Sequence, residues 1–207
     1  MEGVIHVVGL GPGSRDYLTP AAERVVTQAE VLVGGRRALD LFAGLSAQRV
    51  EITGRLDDAI TAIRACYRNH RVVVLVSGDP GFYSLLAVLR RHFPPEELEV
   101  IPGISSIQLA FARLKLPWDH ATLISLHGRE LSILQPFLDK FPLAILTDPV
   151  HSPSQIGQYL LSQGVTNRQA RICQDLSYPS ERIIVTDLEG MAAMEAMGNA
   201  VVVITDE

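Results

Sequence analysis

Apolar and polar positions follow one rhythm in the first half of this chain and another in the second. In the first half, short β-branched runs predict strands at Ile5 to Val8, Val31 to Val33, Val50 to Ile52, Val72 to Val76 and Leu98 to Ile101. Between them, apolar residues recur at helical spacing over 20–29, 36–43, 56–69 and 82–92. Strands and helices taking turns in this way predict a mostly parallel sheet covered by helices. The run RVVVLVS at 71–77 has no polar alternation, so it predicts a strand buried on both faces at the centre of that sheet.

A helix from about Ser105 to Lys115 follows Pro102-Gly103, and the segment LKLPWDH at 114–120 then breaks the pattern with a proline. The break divides the chain into an N-terminal α/β domain, 1–115, and a C-terminal α/β domain, 120–207. Strands are predicted in the second half near Ala121 to Leu126, Leu143 to Leu146, Ala170 to Gln174, Arg182 to Thr186 and Ala200 to Ile204. Ser152-Pro153-Ser154-Gln155 reads as a capping box with proline at the first helical position, and Gly164 closes that helix. Strand passes to strand through LSYPSE, a turn-like link, so this sheet should be mixed.

Composition narrows the function classes. At 207 residues and 47% hydrophobic the chain can bury real cores, and its apolar runs stay short of the ~18 residues that span a bilayer. The opening MEGVIHVV has neither a basic start nor a small-residue cleavage site, which predicts a cytoplasmic protein. Cys66 and Cys173, the two cysteines, lie far apart without a CxxC or a Cys/His cluster, so neither a disulfide framework nor a metal site is indicated. A formal charge of −5 argues against a nucleic-acid-binding face, and anionic ligands must be met by a few placed arginines.

The loop after the first strand, Gly9-Leu10-Gly11-Pro12-Gly13-Ser14, invites comparison with the GxGxxG turn of dinucleotide-binding folds. Its third glycine falls one place early, and the next helix signal is Thr19-Pro20, an N-cap with a first-turn proline. A helix starting that late cannot aim its N-terminus at a pyrophosphate beside the strand. The second strand ends in VLVGGRRAL instead of the acidic residue that would hold a ribose. Arg36 and Arg37 suit a 2′-phosphate there, which keeps an NADP-dependent oxidoreductase as the alternative from another class.

Two more loops leave strand ends, VSGDPGFYS at 76–84 and VIPGISS at 100–106, and in a parallel sheet both emerge at the carboxyl edge where ligands bind. Their glycines let a ligand approach the backbone, Asp79 adds a carboxylate, and Ser105 and Ser106 add hydroxyls. Taken in order, VGLGPGSRDYLT, SGDPGFY and PGISS resemble the tetrapyrrole methylases, class III S-adenosylmethionine-dependent methyltransferases, over essentially the whole chain. Within that family VGGRRAL, ISLHGRE and CQDLSYPSERI look like the branch that methylates carbon 5 of a corrin precursor in cobalamin synthesis.

The resemblance implies a methyl donor, S-adenosylmethionine, held in a cleft between the two domains. Its contacts would be Pro12, Ser77, Gly78, Asp79, Phe82, Ser105 and Ser106, with Thr147 and Leu176 from the second domain. It also implies a small-molecule tetrapyrrole rich in carboxylates, with cobalt present only as part of that substrate. Arg15, Arg36, Arg37 and Arg129, in or beside glycine-rich turns, are the expected substrate contacts. His127, in LHGRE, is the first candidate for a catalytic base or a substrate orienter. Family members usually dimerise, so a homodimer without nucleic-acid or membrane partners is implied. Another precorrin position, an rRNA ribose or the diphthamide precursor are the alternative substrates within the family.

Overall fold

The computed structural model describes residues 3–53, 56–195 and 197–206. The chain forms two compact units, Met1–Ser105 and Ser106–Glu207. The first unit carries β1 (Ile5–Gly9), β2 (Val31–Gly34), β3 (Gln48–Glu51), β4 (Val72–Val76) and β5 (Leu98–Ile101). They form an all-parallel sheet in the order β3-β2-β4-β1-β5, so the uninterrupted apolar run is its central strand. Alternate residues of β4 enter different cores: Val72, Val74 and Val76 pack with one set of helices, Val73 and Leu75 with the other. All five are buried, each worth about 1.5–3 kcal/mol of apolar transfer.

The helices sort by face. α1 (Pro20–Thr27) and α2 (Arg36–Asp40) bury Ala22, Val26 and Leu39 against Val8 and Leu32. α3 (Leu56–Cys66) and α4 (Leu86–His92) bury Ile60, Ile63 and Leu89 against Ile5, Val7 and Val33. The neighbouring strands β1 and β4 therefore send their exits to opposite faces, which makes the edge between them the switch point where open α/β sheets bind ligands.

Helix starts follow the cap chemistry. The Thr19 hydroxyl accepts from the Ala22 N–H at 3.1 Å and Pro20 occupies the first turn. The loop before it is filled by a 3-10 turn, Arg15–Tyr17, capped by Ser14. Helical periodicity over 82–92 overstates α4, which begins only at Leu86. Tyr83, at φ 48°, stands in the left-handed region and cannot continue a helix.

The second unit contains α5 (Ser106–Leu114), β6 (Thr122–Ser125), β7 (Leu143–Leu146), α6 (Pro153–Ser162), β8 (Gln169–Gln174), β9 (Arg182–Asp187), α7 (Leu188–Ala192) and β10 (Ala200–Thr205). Its sheet runs β6-β7-β10-β8-β9; only β6 and β7 are parallel, and the other three pairings are antiparallel. Ser152 and Gln155 complete the capping box that starts α6. α6 and α7 cover one face, and they meet at Gly157, where a Cβ would stand 2.8 Å from the Ala192 nitrogen. The short helix α7, capped by Asp187, is an addition to the elements predicted from the pattern.

Candidate functional site

At the carboxyl edge of the first sheet, three loops are drawn together backbone to backbone. Leu10 N–H donates to the Val76 carbonyl at 2.9 Å, and Gly11 and Gly78 exchange both hydrogen bonds, at 3.2 and 2.8 Å. Gly103 presses on both neighbours: a Cβ there would lie 2.3 Å from the Gly78 oxygen and 2.7 Å from the Gly9 carbonyl carbon. A Cβ on Gly9 would lie 2.6 Å from the Gly103 nitrogen. No side chain fits at either position, so glycine is required by close approach of chain to chain.

Asp79 completes the joint. Its Oδ1 accepts from the Gly81 N–H at 2.8 Å and its Oδ2 from the Gly103 N–H at 3.1 Å, which ties the β4 exit to the β5 exit. Gly78, at φ 66°, is open on its other side: a Cβ would meet only Ser105 Cα, at 3.7 Å. Ser77 is exposed, Pro12, Phe82 and Ser106 are half-buried, and Ser105 is buried. Phe82 packs edge-on against the exposed Tyr83 ring at 4.9 Å. The edge thus offers backbone amides, hydroxyls and one committed carboxylate beside an unobstructed glycine. Such a set suits a neutral or zwitterionic ligand with several hydroxyl groups better than a pyrophosphate.

The arginines divide into engaged and free. Arg15 is exposed, 3.6 Å from Glu23 and 5.7 Å from the centre of the Phe42 ring. Arg36 and Arg37 open α2 at the end of β2, on the same carboxyl edge, exposed and without an ion-pair partner among the described residues. In the second unit, Arg129 reaches back to the Ser125 carbonyl at 3.3 Å. His127 is exposed on the same loop, which turns at Gly128, φ 63°.

Thr147 and Leu176, the second-unit residues expected at the donor, are both buried. The Thr147 hydroxyl accepts from the Ala200 N–H at 2.7 Å, which leaves its own proton to donate. Leu176 sits between Asp175 and Ser177, both at positive φ, in a turn held by Glu181. Glu181 accepts from Ser177 N–H at 2.7 Å and from Arg113 Nε at 2.6 Å. The Arg113 guanidinium, aided by the Ser177 N–H, outweighs burial and holds the Glu181 carboxyl below its usual range.

Next to Thr147 stands a pair that the sequence reading did not single out, Asp148 and His151, with imidazole Nδ1 3.0 Å from the carboxylate. Burial opposes ionisation of Asp148, but the N–H groups of His151, Val150 and Gly128 and the facing imidazole prevail, and its carboxyl is held low. The available signal was Asp148-Pro149, a turn opener just before the capping box. Cys173, by contrast, is a buried core thiol pushed up to about 12 by burial. Among the described residues there is no cluster of three or more His, Cys, Asp or Glu side chains suited to a metal, and no helix long and apolar enough to cross a membrane.

Comparison with known proteins fits this geometry. Among curated proteins, the chain is 33% identical over 203 residues to the cobalt-precorrin-7 C(5)-methyltransferase of Salmonella typhimurium, covering 98% of this chain and all of that one. It is 31% identical over 196 residues to a probable cobalt-precorrin-7 C(5)-methyltransferase of Methanocaldococcus jannaschii, covering 91% and 92%. Among solved structures, the precorrin-6Y methylase of Archaeoglobus fulgidus superposes with a TM-score of 0.75 at 28% identity over 99% and 98% of the two chains. Uroporphyrin-III C-methyl transferase of Thermus thermophilus, complexed with S-adenosylhomocysteine, gives 0.79 at 25% over 99% and 92%. These relatives are methyltransferases, so the oxidoreductase reading of Arg36 and Arg37 has no support from them. Residues 4–192 match the Tetrapyrrole (Corrin/Porphyrin) Methylases, and the chain belongs to that family.

Proposed function

We propose that this chain is the S-adenosylmethionine-dependent methyltransferase that methylates C-5 of cobalt-precorrin-7 in cobalamin biosynthesis. The observation that carries the proposal is the 33% identity to a C(5)-methyltransferase along the full length of both chains. Open backbone at Gly78, the exposed Ser77 hydroxyl and the apolar flank of Phe82 fit an adenosyl amino acid. S-adenosylmethionine, when bound, supplies the electrophilic methyl group; cobalt arrives inside the macrocycle. Pro12, Ser77, Gly78, Asp79, Phe82, Ser105 and Ser106 are the proposed donor contacts, with Thr147 and Leu176 in the second unit. They orient a reactive group rather than react with it, and orientation of two reactants is worth up to roughly 7–11 kcal/mol in favourable cases.

Substrate binding falls to cations. Arg36 and Arg37, free on the carboxyl edge, suit the peripheral carboxylates of the macrocycle, and Arg15, Arg129 and His127 are further proposed contacts. Because Arg15 is engaged with Glu23, it must exchange partners to bind substrate. Incubation with methyl-labelled S-adenosylmethionine and cobalt-precorrin-7 should give a singly labelled product carrying the methyl group at C-5. Methylation at another position, or transfer only to a different precorrin, would replace this reading with its sister activities. Titration calorimetry should show binding of S-adenosylhomocysteine and none of NADP. A homodimer accords with exposed Ile183 and Val185 on the edge strand β9, and light scattering should then give twice 22.6 kDa.

A further inference from the structure

The exits of β6 and β7 lie side by side, since the strands are parallel neighbours and Leu126 N–H donates to the Leu146 carbonyl at 2.9 Å. One carboxylate fastens the two loops. Asp148 Oδ1 accepts from Val150 N–H at 3.0 Å and from His151 N–H at 2.6 Å and faces His151 Nδ1 at 3.0 Å, while the Gly128 N–H from the neighbouring exit also favours its charge. The Asp148 and His151 side chains are 7% and 12% exposed.

This arrangement fixes the chemistry of the imidazole. An ionised carboxylate only accepts, so the ring nitrogen facing it, Nδ1, carries the proton, and in the neutral ring Nε2 keeps its lone pair. Nε2 has no partner among the described residues. It is also not sealed away: among the described residues, the buried side-chain polar atoms without an aligned hydrogen bond are His6 Nδ1 and Arg168 Nε. The local fold does not need the ring, because Ser152 and Gln155 cap α6 and two backbone N–H groups already close the Asp148 turn. His127, on the adjacent exit, is exposed and has no carboxylate to select its tautomer among the described residues.

We infer that His151, oriented by Asp148, is the proton acceptor in methyl transfer, a role His127 is not built to fill. The inference rests on the methyltransferase reading. Once the macrocycle carbon has taken the methyl group, its C–H bond breaks and its electron pair returns to the conjugated ring. The proton passes to Nε2, giving an imidazolium paired with Asp148, which then releases it to water. Methyl cation in and proton out balance without an oxidant or reductant.

Single-turnover kinetics with cobalt-precorrin-7 test this. His151→Ala should lower the rate by about 100-fold or more, the usual worth of general-base catalysis, with little change in macrocycle affinity, and added imidazole should restore part of it. His127→Ala should instead weaken macrocycle affinity. Unchanged turnover in a folded His151→Ala protein overturns the inference, and so does a loss that imidazole does not rescue. If that variant does not fold, nitrogen NMR of the wild-type histidines decides: Nδ1–H with bare Nε2 at His151 is required, and the opposite tautomer refutes it. Failure of the wild-type protein to methylate any precorrin would sink the functional reading itself, an outcome distinct from an active wild type with an indifferent His151.

Discussion

The strand-end loops of the two units are held by different physics. In the first unit, glycines bring main chain against main chain: Gly9 and Gly103 have no room for a Cβ where their loops meet the Gly78 carbonyl, and Asp79 adds two hydrogen bonds. In the second unit carboxylates do the joining, Asp148 across the exits of β6 and β7 and Glu181 within the turn that bears Leu176. Gly128 there has open space where a Cβ would go. Close-packed backbone gives a rigid floor with no bulk above it, which suits the donor contacts proposed there. Side-chain carboxylates give loops whose hold depends on charge, next to the residues assigned to proton transfer.

The contrast is open to attack, and the largest effect is expected at Gly103. Gly103→Ala should cost about 1–3 kcal/mol or more by overpacking, and should weaken S-adenosylhomocysteine binding with it. Gly128→Ala should cost only about 1–2 kcal/mol, the penalty of its left-handed φ alone. Denaturant unfolding and calorimetry of both variants measure this, and equal costs would erase the distinction.

Acid should separate the units next. The folded-state pKa values of Asp148 and Glu181 are depressed, so their stabilisation is present above the ordinary carboxylate range near about pH 4 and is lost as pH falls through the lower folded values. Hydrogen exchange should therefore show the amides of Gly128, His151 and Ser177 losing protection in acid before those of Leu10, Gly11 and Gly78. Loss of protection by both groups together would contradict the comparison. Glu181→Gln should remove about 1 kcal/mol at neutral pH, less at high salt, because the Arg113 pair is partly solvated.

The smallest effect belongs to Arg15. Its side chain is 60% exposed beside Glu23, so Arg15→Ala should change stability by less than about 0.5 kcal/mol while raising the macrocycle KM. An unchanged KM removes Arg15 from the substrate contacts.

Local features were legible in the sequence to the extent that their causes are local. The apolar run at 72–76, the Thr19-Pro20 start and the Ser152–Gln155 box each state their structure within a few residues, and each is seen as read. The late helix start also argued correctly against a dinucleotide turn, since a 3-10 turn fills the interval. The meeting of Gly9 with Gly103 was hidden, because residues 94 positions apart are joined only by the order of strands in the sheet. Asp148 and His151 stayed hidden for another reason: Asp-Pro followed by a cap reads as a turn, and only the fold brings Gly128 to the same carboxylate. The irregular stretch before Leu86 kept a helical pattern that the left-handed Tyr83 overrides.

Strand β10 stands in the middle of the second sheet, paired with β7 on one side and β8 on the other, although it is the last strand in sequence among the described residues. A nascent polypeptide emerging from the ribosome therefore holds β6–β7 and β8–β9 as separate pieces until residues 200–205 are free to slide between them. The first unit needs nothing beyond β5 to close its sheet, so synthesis itself delivers that sheet finished before the second can be completed.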